Sequence, residues 1–401
     1  MTQPGTTHAQ PGTFDLAIVG AGPVGAALAL MLAQRAPALR IALIDARRPP
    51  LLQYDADPRA LALSHGSRLS LERLGAWPSG PRETTPIQHI HVSQRRHFGR
   101  VVIDHREHGV PALGYVVRYG TVMRALDARL DVLPTETFSH LRQTRATAHR
   151  QDNDAVTLTL EQDAGTTTLR AALAINAEGG LFSTQQQKPR TRDYRQSALV
   201  AFVTCDRPLP SWAWERFTAE GPLALLPLEN GYSLVWCCPP ALAEQRLQLP
   251  DDAFLTALND AFGTRMGRFT SVSGRAVFPL GLNALPHLVD GRIAAIGNAA
   301  QTLHPVAGQG LNLGLRDAFA LTEAICRTSP PDVSPAALSR FARQRAIDRQ
   351  LTIGLTDLLP RLFSNDATPL ATLRGLALAG LELVPPLKTA FARQMMFGQR
   401  R

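Results

Sequence analysis

Three glycines near the start of the chain, at positions 20, 22 and 25, constrain the fold more than any other feature. They follow a short apolar run at residues 14–19, typical of a buried strand, and an apolar stretch at residues 24–32 with the length of a helix comes next. Glycines at this spacing permit a tight turn, a close approach of the backbone to a pyrophosphate, and close packing of the helix on the strand. The pattern predicts a dinucleotide-binding βαβ unit, with phosphates at the N-terminal end of the helix. By itself it does not distinguish NAD from FAD.

An acidic residue ends the next predicted strand. Residues 40–44 are mostly apolar, and Asp45 follows them, twenty residues after Gly25. A carboxylate at this position can accept hydrogen bonds from the adenosine ribose hydroxyls, and it would repel a 2′-phosphate. Because strand-ending acids are often plain surface residues, Asp45 supports the dinucleotide prediction without deciding it.

A second glycine-rich segment lies far along the chain. Residues 292–296 predict a strand, Gly-Asn-Ala-Ala follows at residues 297–300, and Gly-Gln-Gly at residues 308–310 precedes a predicted helix. The start of that helix would stabilise negative charge such as that on the pyrimidine edge of a reduced flavin. Its glycines would let a flat ring lie against the backbone. The two segments together therefore favour FAD, with the pyrophosphate at the first and the reactive ring at the second.

The predicted elements place a β-rich block between the two glycine-rich segments. Strands dominate residues 197–278, one helix is predicted at residues 251–262, and helical patterns continue from about residue 310. The predicted fold class is α/β, with a discontinuous Rossmann-like FAD-binding domain, an inserted β-sheet substrate domain and a C-terminal helical region. The predicted boundaries are a disordered tail at 1–13, the FAD-binding domain at 14–85, 106–184 and 276–330, the sheet domain at 86–105 and 185–275, and the helical region at 331–401.

Composition narrows the classes of partner. The net charge of +9 comes mostly from dispersed arginines, without the clustered basic residues and interleaved aromatics of a nucleic-acid site. Cysteines at 205, 237, 238 and 326 form no CxxC pair, so we expect reduced thiols and no metal. No apolar run has membrane-spanning length, and residues 1–13 lack the features of a signal peptide, so a cytoplasmic location is expected.

The chain resembles the FAD-dependent aromatic hydroxylases of ubiquinone biosynthesis. The resemblance lies in Gly20-x-Gly22-x-x-Gly25, in Asp57-x-Arg59, and in residues 297–317. Residues 90–93 and 113–117 look most like the 2-polyprenyl-6-methoxyphenol hydroxylase branch, and residues 345–398 are similar too. The resemblance covers nearly the whole chain beyond the first dozen residues. It implies a p-hydroxybenzoate-hydroxylase-like fold, with FAD, NAD(P)H and molecular oxygen as reactants.

The resemblance also implies a set of cofactor-binding residues. They are Gly20, Gly22, Gly25, Asp45, Arg59, Glu178, Gly179, Asn298, Gly308, Gly310, Leu311 and Asn312. The first four would bind the ADP half of FAD, Arg59 would lie near the flavin side of the pyrophosphate, and residues 308–312 would face the isoalloxazine. Two positions depart from the pattern of the wider flavin hydroxylases: Glu178 stands in place of an Asp, and Asn298 stands where an Asp is usual. These departures bear most on the step that uses NAD(P)H.

The implied function is an oxidoreductase, a monooxygenase that hydroxylates a polyprenylated phenol through a flavin hydroperoxide. The cofactor supplies that chemistry, so no nucleophilic residue or metal is required. His304 is a candidate base for the phenol, with bracing of the loop before Pro305 as the alternative. Expected partners are other ubiquinone-biosynthesis proteins and the surface of the inner membrane.

Three other functions are hosted by the same kind of fold. One alternative is a flavin-dependent reductase of isoprenoid chains, and another is a non-catalytic FAD-binding subunit of a quinone-biosynthesis assembly. A halogenase would need a lysine between flavin and substrate, and the chain contains only Lys188 and Lys388.

Overall fold

The computed structural model describes residues 13–47, 57–80, 82–95, 98–179, 188–303, 308–363, 375, 379–380 and 382–398. Within residues 355–363 only the backbone is described. The described residues form three β-sheets, with α-helices packed between and around them.

The first sheet is mostly parallel. In spatial order its strands are β17 (Val289–Asp290), β18 (Ile293–Ala295), β11 (Gly165–Asn176), β1 (Thr13–Val19), β2 (Ile41–Asp45) and β8 (Phe138–Arg142), with β10 (Val156–Gln162) and β9 (Arg145–Gln151) continuing antiparallel from β11. Every residue of β2 and the last four of β1 are buried, because layers cover both faces of this part of the sheet. The apolar runs that predicted these two strands therefore reflect burial on two sides.

Helices cover one face of the first sheet. They are α1 (Pro23–Arg35), α3 (Tyr119–Leu130) and α6 (Gln309–Ile325). Residues 25–32 of α1 are all buried, in one large apolar cluster with residues from β1, α3 and α6. The alanines and Gly25 in this stretch keep α1 thin, so α1 and α6 can lie close together over the sheet.

The second sheet is antiparallel except where β13 meets β5. Its order is β19 (Gln301–Thr302), β16 (Phe269–Ala284), β12 (Arg190–Cys205), β15 (Gly231–Cys238), β14 (Pro222–Leu228), β13 (Trp212–Phe217), β5 (His89–Gln94) and β6 (Arg100–Asp104). One face packs on α4 (Pro240–Gln248) and α5 (Asp251–Phe262), chiefly through aromatic side chains. The sheet thus includes the strands predicted for an inserted domain, while the domain boundaries themselves stay a prediction.

Helix α4 was missing from the sequence-based prediction. Pro239 and Pro240 stand at its start. Pro240 occupies the first turn, where a helix needs no N–H donor from it and where its fixed φ suits the helix. The β-rich block therefore contains two helices, α4 and α5, and the prediction of a single helix there was wrong.

A small third sheet and three further helices complete the described fold. The sheet consists of β3 (Ala60–Ser64), β7 (Gly114–Arg118) and β4 (Thr84–Ile87), and the helices are α2 (His65–Arg73), α7 (Pro335–Phe363) and α8 (Pro385–Phe397). Short 3-10 helices occupy His105–His108 and Gly297–Ala299. The helical region predicted at residues 331–401 lies in part outside the described residues, and α7 and α8 are its described helices.

Candidate cofactor and substrate site

A cavity of about 940 Å³ lies where the three sheets and α8 meet. Its size is at the upper end for small-molecule sites, as a dinucleotide and a second ligand together require. The predicted cofactor residues that line it are Gly20, Gly22, Asp45, Arg59, Glu178, Gly179, Asn298, Gly308, Gly310, Leu311 and Asn312. Gly25 lies behind the wall, and His304 falls outside the described residues.

Strand register brings three distant segments to one edge of the first sheet. Val19 pairs with Asn176, and Asn176 pairs with Ala295, so β1, β11 and β18 end side by side. The residues that follow them are Gly20, the pair at 178–179, and the turn at 297–298. Ligands of open α/β sheets bind at this carboxyl edge.

Each glycine of the first turn is glycine for a different physical reason. Gly20 has φ of +101°, and a Cβ there would lie 2.8 Å from the backbone of Ala177. A Cβ on Gly25 would collide with the carbonyl oxygen of Gly20, so only glycine allows α1 to approach β1 this closely. A Cβ on Gly22 would meet nothing within 4 Å and would project into open space. Gly22 therefore leaves room for a ligand, whereas Gly20 and Gly25 make the turn.

The second turn repeats this arrangement. Gly308 has φ of +59°, and a Cβ there would lie 2.9 Å from the Cβ of Ala62. A Cβ on Gly310 would meet nothing within 4 Å. No side chain caps the start of α6, as none caps the start of α1. Both helix starts thus present N–H groups and positive dipole ends at the cavity, which suits a pyrophosphate and an electron-rich ring.

Asn312 holds the second turn in place. Its buried Oδ1 accepts hydrogen bonds from Ser64 N at 2.8 Å and from Ser67 Oγ at 2.7 Å. Its Nδ2 donates to Ala62 O at 2.9 Å and to Gly308 O at 2.8 Å. Because these four partners are protein atoms, the amide fixes β3 and Gly308 relative to α6.

Asp317 on α6 positions the turn at Gly297. Its Oδ2 accepts hydrogen bonds from Gly297 N at 3.1 Å and from Gln301 Nε2 at 3.0 Å. Its Oδ1 accepts one from Arg345 Nε at 2.7 Å, and this pair is buried. Asp348 completes the network by pairing with Arg345. A buried carboxylate with this many donors is satisfied, and it ties the end of β18 to α6 and α7.

Asp45 is paired with an arginine that sequence reasoning missed. Arg47 donates to both oxygens of the Asp45 carboxylate, from Nε to Oδ1 at 2.9 Å and from Nη2 to Oδ2 at 2.8 Å. Arg47 Nη2 also donates to Ala21 O at 2.7 Å, inside the first turn. The arginine thereby joins the end of β2 to the glycine turn and adds a positive charge to the cavity wall. Its place two residues after Asp45 is the only sequence signal for it.

Arg59 is held from two sides. Its guanidinium pairs with Asp57 through Nε at 2.8 Å and Nη2 at 2.5 Å, and it stacks 4.4 Å from the ring centroid of Tyr119. Burial raises the pKa of Asp57, but the hydrogen bonds from Arg59 outweigh it, and the net pKa is lowered. Asp57 is therefore ionised and keeps Arg59 in one orientation at the cavity wall.

Asn298, one of the two positions that depart from the pattern of the wider flavin hydroxylases, lies close to the neighbour of the other one, Glu178. A Cβ on Gly179 would be 3.8 Å from the Cβ of Asn298. Lys188 Nζ donates to the carbonyl oxygen of Asn298 at 2.8 Å. Burial, followed by the charge of Arg349, lowers the pKa of Lys188 to about 8. Lys188 therefore supports the backbone of the turn at residues 297–298, a role that the sequence did not indicate.

The remaining cavity wall is apolar. It is formed by one face of the second sheet, with Ile90, Val92, Val101, Ile103, Ala213, Ala224, Leu226 and Val235, and by α8, with Phe391, Ala392, Met395 and Met396. Sequence reasoning located apolar strands in this block but did not predict that α8 would close the cavity. It also missed Glu215, which lies on the same sheet face.

Comparison with known proteins assigns the family. The FAD binding domain family matches residues 13–347. Ubiquinone hydroxylase UbiL of Rhodospirillum rubrum is 35% identical, over 95% of this chain and 89% of the relative. The 3-demethoxyubiquinol 3-hydroxylase of Escherichia coli is 32% identical, over 93% of this chain and 96% of the relative.

A solved structure shares the fold. The p-nitrophenol 4-monooxygenase PnpA from Pseudomonas putida superposes with a TM-score of 0.75 at 15% identity, over 97% of this chain and all of that chain. This likeness confirms the predicted fold class. The family match and the two relatives confirm FAD as the cofactor, which fits the two uncapped helix starts and the open space at Gly22 and Gly310. The chain therefore belongs to the family of FAD-dependent hydroxylases that includes the enzymes of ubiquinone biosynthesis, and it is an FAD-dependent monooxygenase.

Proposed function

We propose that this monooxygenase hydroxylates the ring of a polyprenylated phenol in ubiquinone biosynthesis, with NAD(P)H as electron donor and O₂ as oxygen source. The observation that supports it best is one continuous cavity that is lined both by the glycine turns and by an apolar sheet face and helix. The names of the two relatives, a ubiquinone hydroxylase and a demethoxyubiquinol hydroxylase, point to the same substrate class.

In this proposal the chain binds and orients FAD through its two turns. Gly22 and the start of α1 would hold the pyrophosphate, Asp45 would hold the adenosine ribose, and Arg59 would lie at the flavin side of the pyrophosphate. Residues 308–312 and the start of α6 would hold the ring. Bound and reduced flavin would supply the activated oxygen, while the protein orients the ring and excludes water.

The apolar end of the cavity suits a prenyl tail. Leu387, Phe391 and Met395 follow one another at four-residue spacing along α8, so they form one stripe of that helix. Phe391 and Met395 line the cavity, and Leu387 is exposed. The stripe therefore runs from the protein surface into the site, as a route for an extended apolar chain would.

Activity of the purified, FAD-loaded protein tests the function. We expect a 2-polyprenylphenol to stimulate NAD(P)H oxidation and O₂ uptake, and mass spectrometry to show a product with one added oxygen atom. Saturation of the prenyl chain without O₂ uptake would favour the reductase alternative instead. Tight FAD binding with no substrate-stimulated NAD(P)H oxidation would favour the non-catalytic subunit.

We further propose peripheral contact with an anionic membrane, from which such a substrate would be taken. In the described part of the chain no helix is both long and apolar enough to span a bilayer. Leu383, Val384 and Leu387 are 78%, 47% and 55% exposed around the start of α8. Exposed apolar groups next to one another favour contact with lipid or another apolar surface.

Flotation with vesicles of phosphatidylglycerol and phosphatidylcholine tests this contact. We expect the wild-type protein to bind the vesicles. The combined Leu383→Ser, Val384→Ser and Leu387→Ser variant should bind at least about tenfold more weakly, because three apolar side chains no longer enter the interface. Val132→Ser is the matched control, since Val132 is 66% exposed elsewhere on the surface. A wild-type protein that does not associate with the vesicles would contradict the proposal.

A further inference from the structure

A single carboxylate interrupts the apolar face of the second sheet. Glu215 on β13 pairs with Val92 of β5 on one side and with Ala224 of β14 on the other. The row continues outward to Val101 on β6 and to Val235 on β15. All five residues line the cavity, and Glu215 is the one charged residue of the second sheet among the described residues that line it.

The carboxylate of Glu215 has no hydrogen-bond or ion-pair partner within the part of the chain that the structure describes. A carboxyl group in such surroundings strongly disfavours its charged form. Burial accordingly raises the pKa of Glu215 from 4.5 to about 7. An unpartnered acid in an apolar wall costs stability, so a ligand that completes its hydrogen bonds offers a physical reason for its presence.

The described groups packed around Glu215 bring no positive charge close to its carboxylate. β15 contributes the thiol of Cys237, which burial keeps neutral by raising its pKa well above the ordinary value. α8, which packs on the same sheet face, carries Lys388 and Arg393. Lys388 pairs with Glu107 at 3.0 Å, and Arg393 is exposed with its charge near His108. β5 and β14 present apolar residues to Glu215.

We propose that Glu215 accepts the proton of the substrate's ring hydroxyl, and this assignment rests on the proposed function. In the step the phenolic O–H bond breaks, the proton moves to a carboxylate oxygen of Glu215, and the electron pair stays on the ring oxygen. The resulting phenolate is a stronger carbon nucleophile towards the oxygen that the cofactor delivers. After transfer the ring loses its C–H proton to solvent, and Glu215 returns its proton to the ring oxygen.

The chemistry of the group suits this task. A general base works best when its pKa lies near the working pH, because it is then ionised yet still basic. Glu215 meets this condition through burial alone. It also lies on a strand, whose neighbours on both sides fix its position better than a loop would. His304, the candidate base from the sequence, lies outside the described residues.

Kinetics of the FAD-loaded enzyme supply the first test. With 2-octylphenol we expect kcat/KM to rise with pH through an apparent pKa near 7 in the wild type. Glu215→Gln should remove that rise and lower kcat/KM at pH 8 by about 10²-fold or more. The loss of kcat/KM in Glu215→Gln should be smaller for ring-fluorinated phenols, because these phenols ionise more readily. Glu244→Gln is the matched control, because Glu244 is exposed on α4. A Glu215→Gln enzyme that keeps the pH-dependent rise would overturn the proposal.

Binding to the oxidised, FAD-loaded protein supplies a test that needs no turnover. At pH 8 the wild type should prefer 2-octylphenol over its methyl ether by about tenfold or more, since only the phenol can donate to the carboxylate. In Glu215→Met this preference should disappear, and in Glu244→Gln it should persist. Equal binding of phenol and ether by the wild type would refute the role of Glu215. Because the measurement is independent of turnover, loss of the preference in Glu215→Met would support the role of Glu215 even if no hydroxylated product were found.

Discussion

A Gly25→Ala variant is expected to lose at least about 3 kcal/mol of folding free energy, because its Cβ would collide with the carbonyl oxygen of Gly20. The atom that it meets is backbone in the turn between β1 and α1, so relief requires moving the helix away from the sheet. α1 contributes seven consecutive buried residues, 26–32, to the largest apolar cluster, and its displacement would loosen that cluster as well. Urea unfolding of the FAD-free protein measures the loss.

A Gly22→Ala variant separates the role of the first turn in folding from its role in FAD binding. Gly22 has φ of −64°, which alanine adopts freely, and its Cβ would meet nothing within 4 Å. We expect the folding free energy to stay within about 0.5 kcal/mol of the wild type. FAD binding should weaken by about tenfold or more, because the methyl group occupies space that the pyrophosphate needs. Normal FAD affinity in Gly22→Ala, or normal stability in Gly25→Ala, would contradict this division.

Replacing Glu215 with glutamine is expected to stabilise the protein above neutral pH. The folded-state pKa of about 7 exceeds the ordinary 4.5, so folding disfavours the ionised form. Stability of the wild type should therefore fall as pH rises from about 4.5, and the fall should be complete above about pH 7. A shift of this size corresponds to roughly 3 kcal/mol at most. The glutamine variant lacks the titration and should lose this part of the pH dependence.

The measurement is the free energy of unfolding of FAD-loaded protein at pH 5 and pH 8. The difference between the two pH values should be smaller in Glu215→Gln than in the wild type, while Glu244→Gln should match the wild type. An identical pH dependence in Glu215→Gln and wild type would show that Glu215 ionises as an ordinary carboxyl group. Greater stability combined with slower hydroxylation is the pattern expected of an active-site residue that is unsatisfied without its substrate.

Local patterns predicted those parts of the fold that depend on neighbours in sequence. The apolar run at residues 14–19 is β1, the helix at 24–32 is the buried part of α1, and the predicted helix at 251–262 is α5. Helix α4 was not predicted, although Pro240 in its first turn is compatible with a helix start.

The site residues also divide into those that local spacing predicts and those that act on distant segments of the chain. Spacing alone singled out the glycines at 20, 22 and 25, since Gly20 and Gly25 are required by a turn within residues 13–35 and Gly22 lies between them. Nothing in the chain near Asn312 reveals that its amide holds Ser64 and Ser67, which lie about 245 positions earlier. Arg47 and Lys188 were likewise missed, because each acts on the backbone of another segment.

By itself the sequence determined that this chain forms glycine turns next to strands and helix starts, because strand periodicity, glycine conformation and helix starts are short-range properties. Tertiary structure alone decided that both turns line one cavity and which other side chains line it with them. The pairing of β13 with β5 and β14 isolates Glu215 in an apolar row, and the packing of α8 forms part of the cavity wall. Burial of a carboxylate, and hence its pKa, depends on contacts between residues more than a hundred positions apart, which no local pattern encodes.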